Sequence, residues 1–186
     1  QWPPFVTGGS DAVVTLHSHS GTLLVALCHS WYENHLYNGY RASDHVTSRG
    51  ATRDSIDKVS ALVGRGVVLD IAGWKGVEHL QLGEAITAAD LDACAAAQGV
   101  TIQAGDLVLV RTGWMQVFAR DRGRYNQGEP GIDESALSWL KAHDIMAIGA
   151  EHTAVEGVTH GPHPRFPGPS VPRPQLGRYT PRTAPV

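Results

Sequence analysis

Apolar and polar positions fall into regular patterns most clearly from Val67 onward. The stretch Val67 to Ala72 (V-V-L-D-I-A) follows Gly64 and Gly66 and reads as a central strand. From Thr87 to Gln98 the chain has the form of a helix. Thr87 can cap its first turn, Asp90 three residues later completes a capping-box pattern, and Gly99 stops it. Leu107 to Val110 is a short continuous apolar run that suits a buried strand, closed by Thr112-Gly113. Glu134 to His143 reads as a second helix, capped by Asp133 and turning Leu137 and Leu140 inward, and Ile145 to Ile148 as a strand after it. Strand, helix, strand, helix, strand is the order of an α/β layer on a mixed or parallel sheet.

Upstream the patterns are shorter. From Asp11 to Leu16 a β-branched run (D-A-V-V-T-L) predicts a strand, and the unbroken apolar run Leu23 to Leu27 predicts one buried on both faces. The aromatic, polar stretch from His29 to Tyr40 reads as a loop with a turn at Asn38-Gly39, and Ser55 to Leu62 as a short helix. The texture changes at Thr159. From there to Val186 the chain has no Asp, Glu or Lys, and eight of its eleven prolines lie between Pro162 and Pro185. Such a segment buries too little apolar area to offset the entropy of ordering it. The division expected is a partial α/β domain over residues 1–158 and a Pro/Arg-rich tail over 159–186, disordered or not a native continuation of the domain. An out-of-frame reading would give such a composition, and a tail that wraps a partner subunit is the alternative.

Composition narrows the function classes. The 186 residues carry 15 Lys+Arg against 18 Asp+Glu, a formal charge of -3, which excludes a basic nucleic-acid binder by bulk electrostatics. No apolar run approaches the ~20 residues that cross a bilayer, so no membrane partner is expected. Two cysteines, Cys28 and Cys94, are too few for a disulfide scaffold and read as thiols of a reducing, cytoplasmic setting. The chain begins at Gln1 and not at Met, as a processed chain or a fragment would.

Candidate chemistry gathers in the first quarter, where five of the ten histidines lie between His17 and His45. His19 and His29 bracket Gly21-Thr22 and the apolar run, a placement from which imidazoles bind metals or move protons. Here the residues resemble the metal-dependent cyclase family, which includes bacterial kynurenine formamidase and isatin hydrolase. Its signature, H-x-G-T-H-x-D-x-P-x-H, is kept at His19, Gly21, Thr22 and His29. The likeness continues through L-Y-N-G-Y (Leu36 to Tyr40), G-R-G-V-V-L-D (Gly64 to Asp70), G-D-L-V-L-V-R-T-G-W (Gly105 to Trp114), E-P-G-I (Glu129 to Ile132) and I-G-A-E-H-T-A-V-E (Ile148 to Glu156).

That resemblance implies an α/β fold with a mixed sheet rolled toward a barrel with flanking helices, assembled as a homo-oligomer. It implies arylformamidase-like hydrolysis of an N-formyl or cyclic amide of an aromatic substrate, of the kind met in tryptophan and kynurenine catabolism. A divalent Zn or Mn would polarise the carbonyl and activate a water, with His19 among its ligands and His29 as general acid/base. Trp31 and Tyr32 are the candidates for holding the aromatic ring. The chain departs from the signature at Leu23, Val25 and Leu27, where the family has His, Asp and Pro. Leucine and valine offer a cation no lone pair, so this chain as written is expected to bind no catalytic metal, His19 being vestigial. His160 and His163 do not match the spacing of the family's further ligands. A catalytically inactive member that keeps the fold is therefore the alternative function. Among the remaining polar residues, Arg111 is expected in an ion pair and Asp70 in a structural role at a strand end. His35 and His45 are expected at the surface, and Glu151 and Glu156 in a solvated loop or beside a metal. Cys28 next to His29 would be an activated thiol only if both side chains faced the same way.

Overall fold

The computed structural model describes residues 10–15, 17 and 21–159. The segment that opens this region has little regular structure. Helix α1 (Ala42–His45) leads into a hairpin of β1 (Val46–Thr47) and β2 (Gly50–Ala51), and one 3-10 turn follows at Ile56–Lys58. The main layer then runs β3 (Gly66–Asp70), α2 (Ile71–Trp74), β4 (Ala85–Ile86), α3 (Ala88–Ala97) and β5 (Leu107–Arg111). It continues through α4 (Met115–Arg120), α5 (Arg122–Tyr125), β6 (Gly128–Glu129), β7 (Gly131–Ile132), α6 (Glu134–Ala142), β8 (Ala147–Ala150) and β9 (Val158–Thr159).

Strands β3, β5 and β8 form a parallel sheet in that order. The middle strand is therefore β5, and β3, expected to be central, has one neighbour among the described residues. Two parallel crossovers carry α3 and α6 to the same face, where the helices touch each other. Period-2 alternation sends Val67, Leu69, Val108 and Val110 to that face, against Leu91 and Cys94 of α3 and Trp139 and Leu140 of α6. The opposite face is open: Val68 is 51% exposed and Leu109 49%. The apolar run of β5, read as wholly buried, is thus buried only at alternate positions. Three two-stranded pairs complete the strands, β1–β2, β4–β7 and β6–β9, and no closed barrel forms among the described residues.

The helix caps are those the sequence predicts. Thr87 Oγ1 accepts from the Asp90 amide while Asp90 accepts from the Thr87 amide, and Gly99 leaves α3 at φ 65°. Asp133 caps α6 by accepting from the Ser135 amide. At the start of β5, Asp106 is 2% exposed and accepts from Arg65 Nε at 2.9 Å, Arg65 Nη2 at 2.7 Å and the Gln103 amide at 2.8 Å. Gly131 is required by packing, since a Cβ there would run into the backbone of Val155 and Glu156.

The upstream expectations fare differently. Residues 11–15 form no strand, with Val13 94% exposed, and Leu16 lies outside the described residues. The run Leu23–Leu27 is not a buried strand either; Leu23, Leu24 and Val25 are exposed and the chain turns at Leu27. A strand needs a neighbour for its amides and carbonyls, and no described strand lies beside either run. The expected helix from Ser55 shrinks to the single 3-10 turn, with Ile56 and Val59 exposed, because no layer covers its apolar positions. The loop from His29 is as read, with Asn38 and Gly39 both at positive φ. Of the tail read from Thr159, only Thr159 itself, the last residue of β9, is described; residues 160–186, with His160 and His163, lie outside the described residues.

Candidate functional site

The carboxyl ends of the three parallel strands carry one charged residue each. Asp70 ends β3, Arg111 ends β5, and Glu151 follows β8. Asp70 and Arg111 are register partners, so their side chains leave the sheet on one face and meet: Arg111 Nη1 donates to Asp70 Oδ1 at 2.6 Å. Asp70 Oδ1 also accepts from the Gly73 amide and so caps α2. Burial works to raise the Asp70 carboxyl, but the Gly73 amide and the Arg111 guanidinium outweigh it and hold it below the usual carboxylate range. Gln98, the C-cap residue of α3, fixes this corner further, accepting from the Asp70 amide at 2.8 Å and donating to the Val68 carbonyl at 2.7 Å.

Glu151 is not a solvated loop residue. Its Oε1 accepts from the Thr112 amide at 2.9 Å, the Thr112 hydroxyl at 2.9 Å and the Trp114 amide at 3.1 Å, while Oε2 takes only a 3.1 Å share of the Thr112 amide. Thr112 and Trp114 are fully buried, so this carboxylate ties the loop after β5 to the end of β8. Gly113 between them sits at φ 75°, and a Cβ there would meet the Glu78 carbonyl.

Over these strand ends lies a groove of about 510 Å³. Val68, Leu109 and Met115 give it apolar walls, and Arg111, Glu151 and Gln116 give it polar groups. Thr22, from the Gly-Thr pair of the histidine-rich stretch, reaches the same groove. Ligand sites of open α/β sheets form at such carboxyl ends.

The other candidates are placed as follows. His29 is exposed at the turn that follows the apolar run, its amide donating to the Ala26 carbonyl. Trp31 and Tyr32 are each 45% exposed, and Tyr32 bridges to His35. His19 lies outside the described residues. His35 is exposed, and His45 is half-buried with Nδ1 2.9 Å from the Thr52 hydroxyl. Cys28 and His29 share a turn and not a strand. Burial pushes the Cys28 thiol up, the opposite of activation. Glu156 forms a parallel backbone bridge with Ile132.

Sequence reasoning passed over a buried polar pair, His152 and Glu129. The His152 side chain is wholly buried with Nδ1 3.5 Å from Glu129 Oε2, and neither ring nitrogen makes a hydrogen bond among the described residues. Glu129 is 4% exposed and accepts from the Thr153 and Ala154 amides at 3.0 and 2.8 Å. Both residues stand inside stretches already singled out, E-P-G-I and A-E-H-T, but nothing local to either one points to the other.

A divalent cation does not fit what is described here. No group of three or more His, Cys, Asp or Glu side chains able to hold a metal ion occurs among the described residues. Leu23 and Val25 offer no donor, the Asp70 carboxylate is engaged by Arg111, and Glu151 by the Thr112–Trp114 loop. No helix of the described residues is long and apolar enough to cross a membrane.

Comparison with known proteins gives the framework a family. The chain is similar to a crystal structure of a novel cyclase, with 32% sequence identity and a TM-score of 0.66. The match covers 73% of this chain and 48% of that one, so the chain spans about half the length of this solved relative. An isatin hydrolase bound to the product analogue thioisatinate matches at 23% identity and a TM-score of 0.43, over 60% of this chain and 42% of that one. Isatin hydrolase A from Labrenzia aggregata bound to benzyl benzoate matches at 22% and 0.43, over 62% and 46%. No curated protein matches the chain. The cyclase family model matches residues 1–157, most of the sequence, and the chain belongs to the cyclase family.

Proposed function

We propose that the chain belongs to an amidohydrolase of arylformamidase type, which cleaves the C–N bond of an N-formyl or cyclic amide of an aromatic compound related to tryptophan or kynurenine. The observation that carries this reading is the groove. The signature residue Thr22 meets the carboxyl ends of β3, β5 and β8 there, between apolar walls that suit a ring and polar groups that suit an amide. In this reading His29 is the general acid/base and Trp31 and Tyr32, both exposed, hold the aromatic ring, although none of the three is among the residues that line the groove. A homo-oligomer and a cytoplasmic setting belong to the same proposal.

A second reading has its own observation. Leu23 and Val25 stand exposed and donorless where the family signature has His and Asp. No cation-holding group replaces them among the described residues. On this reading the chain keeps the framework and the groove without the Zn- or Mn-assisted hydrolysis. One experiment separates the two. The full chain is supplied with Zn or Mn and N-formylaniline, and both binding and formate release are measured. Metal-dependent turnover that His29→Ala abolishes supports the amidohydrolase. Binding without turnover supports the inactive member, and absence of both overturns the groove as an amide site.

A further inference from the structure

Uncovered apolar side chains lie both on the walls of the groove and on the stretch of chain that leads away from it. Val68, Leu109 and Met115 line the groove and are 51%, 49% and 45% exposed. Thr22 lines it too, and the next three residues, Leu23, Leu24 and Val25, are 37%, 48% and 47% exposed. This stretch is placed at both ends. Thr22 sits at the groove, and beyond Leu27 the Cys28 amide donates to the Asp54 carbonyl at 3.1 Å while the His29 amide donates to the Ala26 carbonyl at 2.9 Å. Next to Thr22, Gly21 stands at a bend, with open space where a Cβ would be, so the backbone can swing there without a clash. No residue from Gly21 to Cys28 carries a charge.

We propose that residues 22–27 are a strap poised to close over the groove, and that the occupant it closes on is an uncharged apolar molecule. Closing fixes the backbone of the strap, which costs conformational entropy. Over an empty groove three partly exposed side chains do not offset that cost, and the strap stays open, with Leu24 and Val25 nearly half exposed. An apolar occupant changes the balance. It gives Leu23, Leu24 and Val25 a surface to cover and is itself removed from water on both sides. The occupant therefore binds the closed state better than the open one, which is the condition for a ligand to drive a closure. The charges that border the groove are answered within the protein, Arg111 by Asp70 and Glu151 by the Thr112–Trp114 loop. A charged occupant would lose its water to the apolar strap and gain no partner from it. The side chains that deprive the chain of cation donors at positions 23 and 25 are thus the ones that supply the cover. The inference needs the groove alone and neither reading of the chemistry there.

The test uses the full chain and N-phenyl-1-naphthylamine, an uncharged apolar probe whose fluorescence rises when it leaves water. In the wild-type chain the probe is expected to bind and to slow amide exchange across residues 23–27. Met115→Lys, a change at a half-exposed groove wall, should weaken binding at least about tenfold by placing a charge where the probe lies. The double change Leu24→Ser with Val25→Ser removes the cover and should weaken binding about fivefold or more. That loss should fall on the dissociation rate and leave the association rate unchanged, because the strap closes after the probe has entered. Val63→Ser, at an 82% exposed position away from the groove lining, should leave binding within about twofold of wild type. The exchange measurement needs no variant and stands even if one of them folds poorly. Unchanged exchange at residues 23–27 in the probe-saturated chain overturns the strap, and so does a Leu24→Ser/Val25→Ser chain that binds as wild type does. Binding that Met115→Lys leaves intact, or that Val63→Ser weakens as much, overturns it by seating the probe elsewhere. Failure of the probe to bind overturns the groove as an apolar site, and the strap with it.

Discussion

Two stretches of this chain are about equally apolar and end up differently. Leu107–Arg111 reads L-V-L-V-R and becomes the middle strand of the parallel sheet, with Val108 wholly buried and Val110 nearly so. Leu23–Leu27 reads L-L-V-A-L and stays out of any strand, with Leu24 and Val25 nearly half exposed. Hydrophobicity does not separate them; company does. β5 has a strand on each side and two helices over one face, whereas no described strand lies beside the earlier run. An apolar run lowers the free energy of folding only by the area it removes from water. The same contrast runs through the candidate site. Its sheet half is fixed by ion pair, cap and the half-buried Glu151 carboxylate, while among the described residues of the histidine-rich half only Thr22 lines it.

Truncation in each run is the most forceful way to break this comparison. Leu69, wholly buried on β3 beneath α3, is expected to cost about 2–5 kcal/mol on replacement by Ala, the transfer loss plus the cavity left behind. Leu24→Ala is expected to stay within about 0.5 kcal/mol, as exposed substitutions do. Urea midpoints of the full chain read both. A cost for Leu24→Ala comparable with that of Leu69→Ala would show that the early run is covered in solution.

A smaller effect, with a pH signature, comes from Asp106. Its carboxylate is buried at the entry to β5 and accepts from Arg65 twice and from the Gln103 amide. The Arg65 hydrogen bond is the main reason its pKa lies below the ordinary carboxylate value, with burial opposing and the Gln103 amide assisting. A depressed carboxylate pKa gives stability that is fully present above the unfolded value, about 4, and is lost as pH falls through the folded one. Asp106→Ala should therefore cost about 1–3 kcal/mol at neutral pH. It should also flatten the acid limb of the stability curve below about pH 4. An unaltered acid limb would show that other carboxylates govern acid unfolding.

What was legible in the sequence follows the same division. The caps at Thr87 and Asp133, the stop at Gly99 and the alternation of strands and helices are local signals, and each has its partner within a few residues. The pairing of Asp70 with Arg111 was foreseeable only as an ion pair at a strand end, since register partners 41 residues apart are set by the topology. Glu151 reads from sequence as a solvated loop residue or one beside a metal, because nothing local shows that the Thr112 and Trp114 amides turn toward it. The buried His152–Glu129 pair was missed for the same reason, its members being 23 positions apart with no shared motif. The strands expected near Val13 and Val25 were misread because β-branched residues report how well a segment fits a sheet, and not whether a sheet is there.

The finest distinction is between two local hydrogen-bonding devices, one in each half. Thr87 caps α3, whose Leu91 and Cys94 form part of the core, so the cap is coupled to the sheet. Asn34 holds α1 by accepting from the Ser43 amide at 2.9 Å and donating to the Ser43 hydroxyl at 3.1 Å, on an exposed stretch. Removing either side chain deletes a comparable set of bonds. Thr87→Ala is expected to lower global stability by about 1 kcal/mol. Hydrogen exchange should then quicken across β3 and β5 as well as in α3, because these elements open as one unit. Asn34→Ala also places alanine at φ 62°, where asparagine is tolerated and alanine is strained. Its effect should nonetheless stay near the Ser43 amide, with exchange in β3 and β5 unchanged. If Asn34→Ala instead quickened exchange in the parallel sheet, the two halves would be one cooperative unit. The exposed run from Leu23 would then have to be packed against something when the protein is in solution.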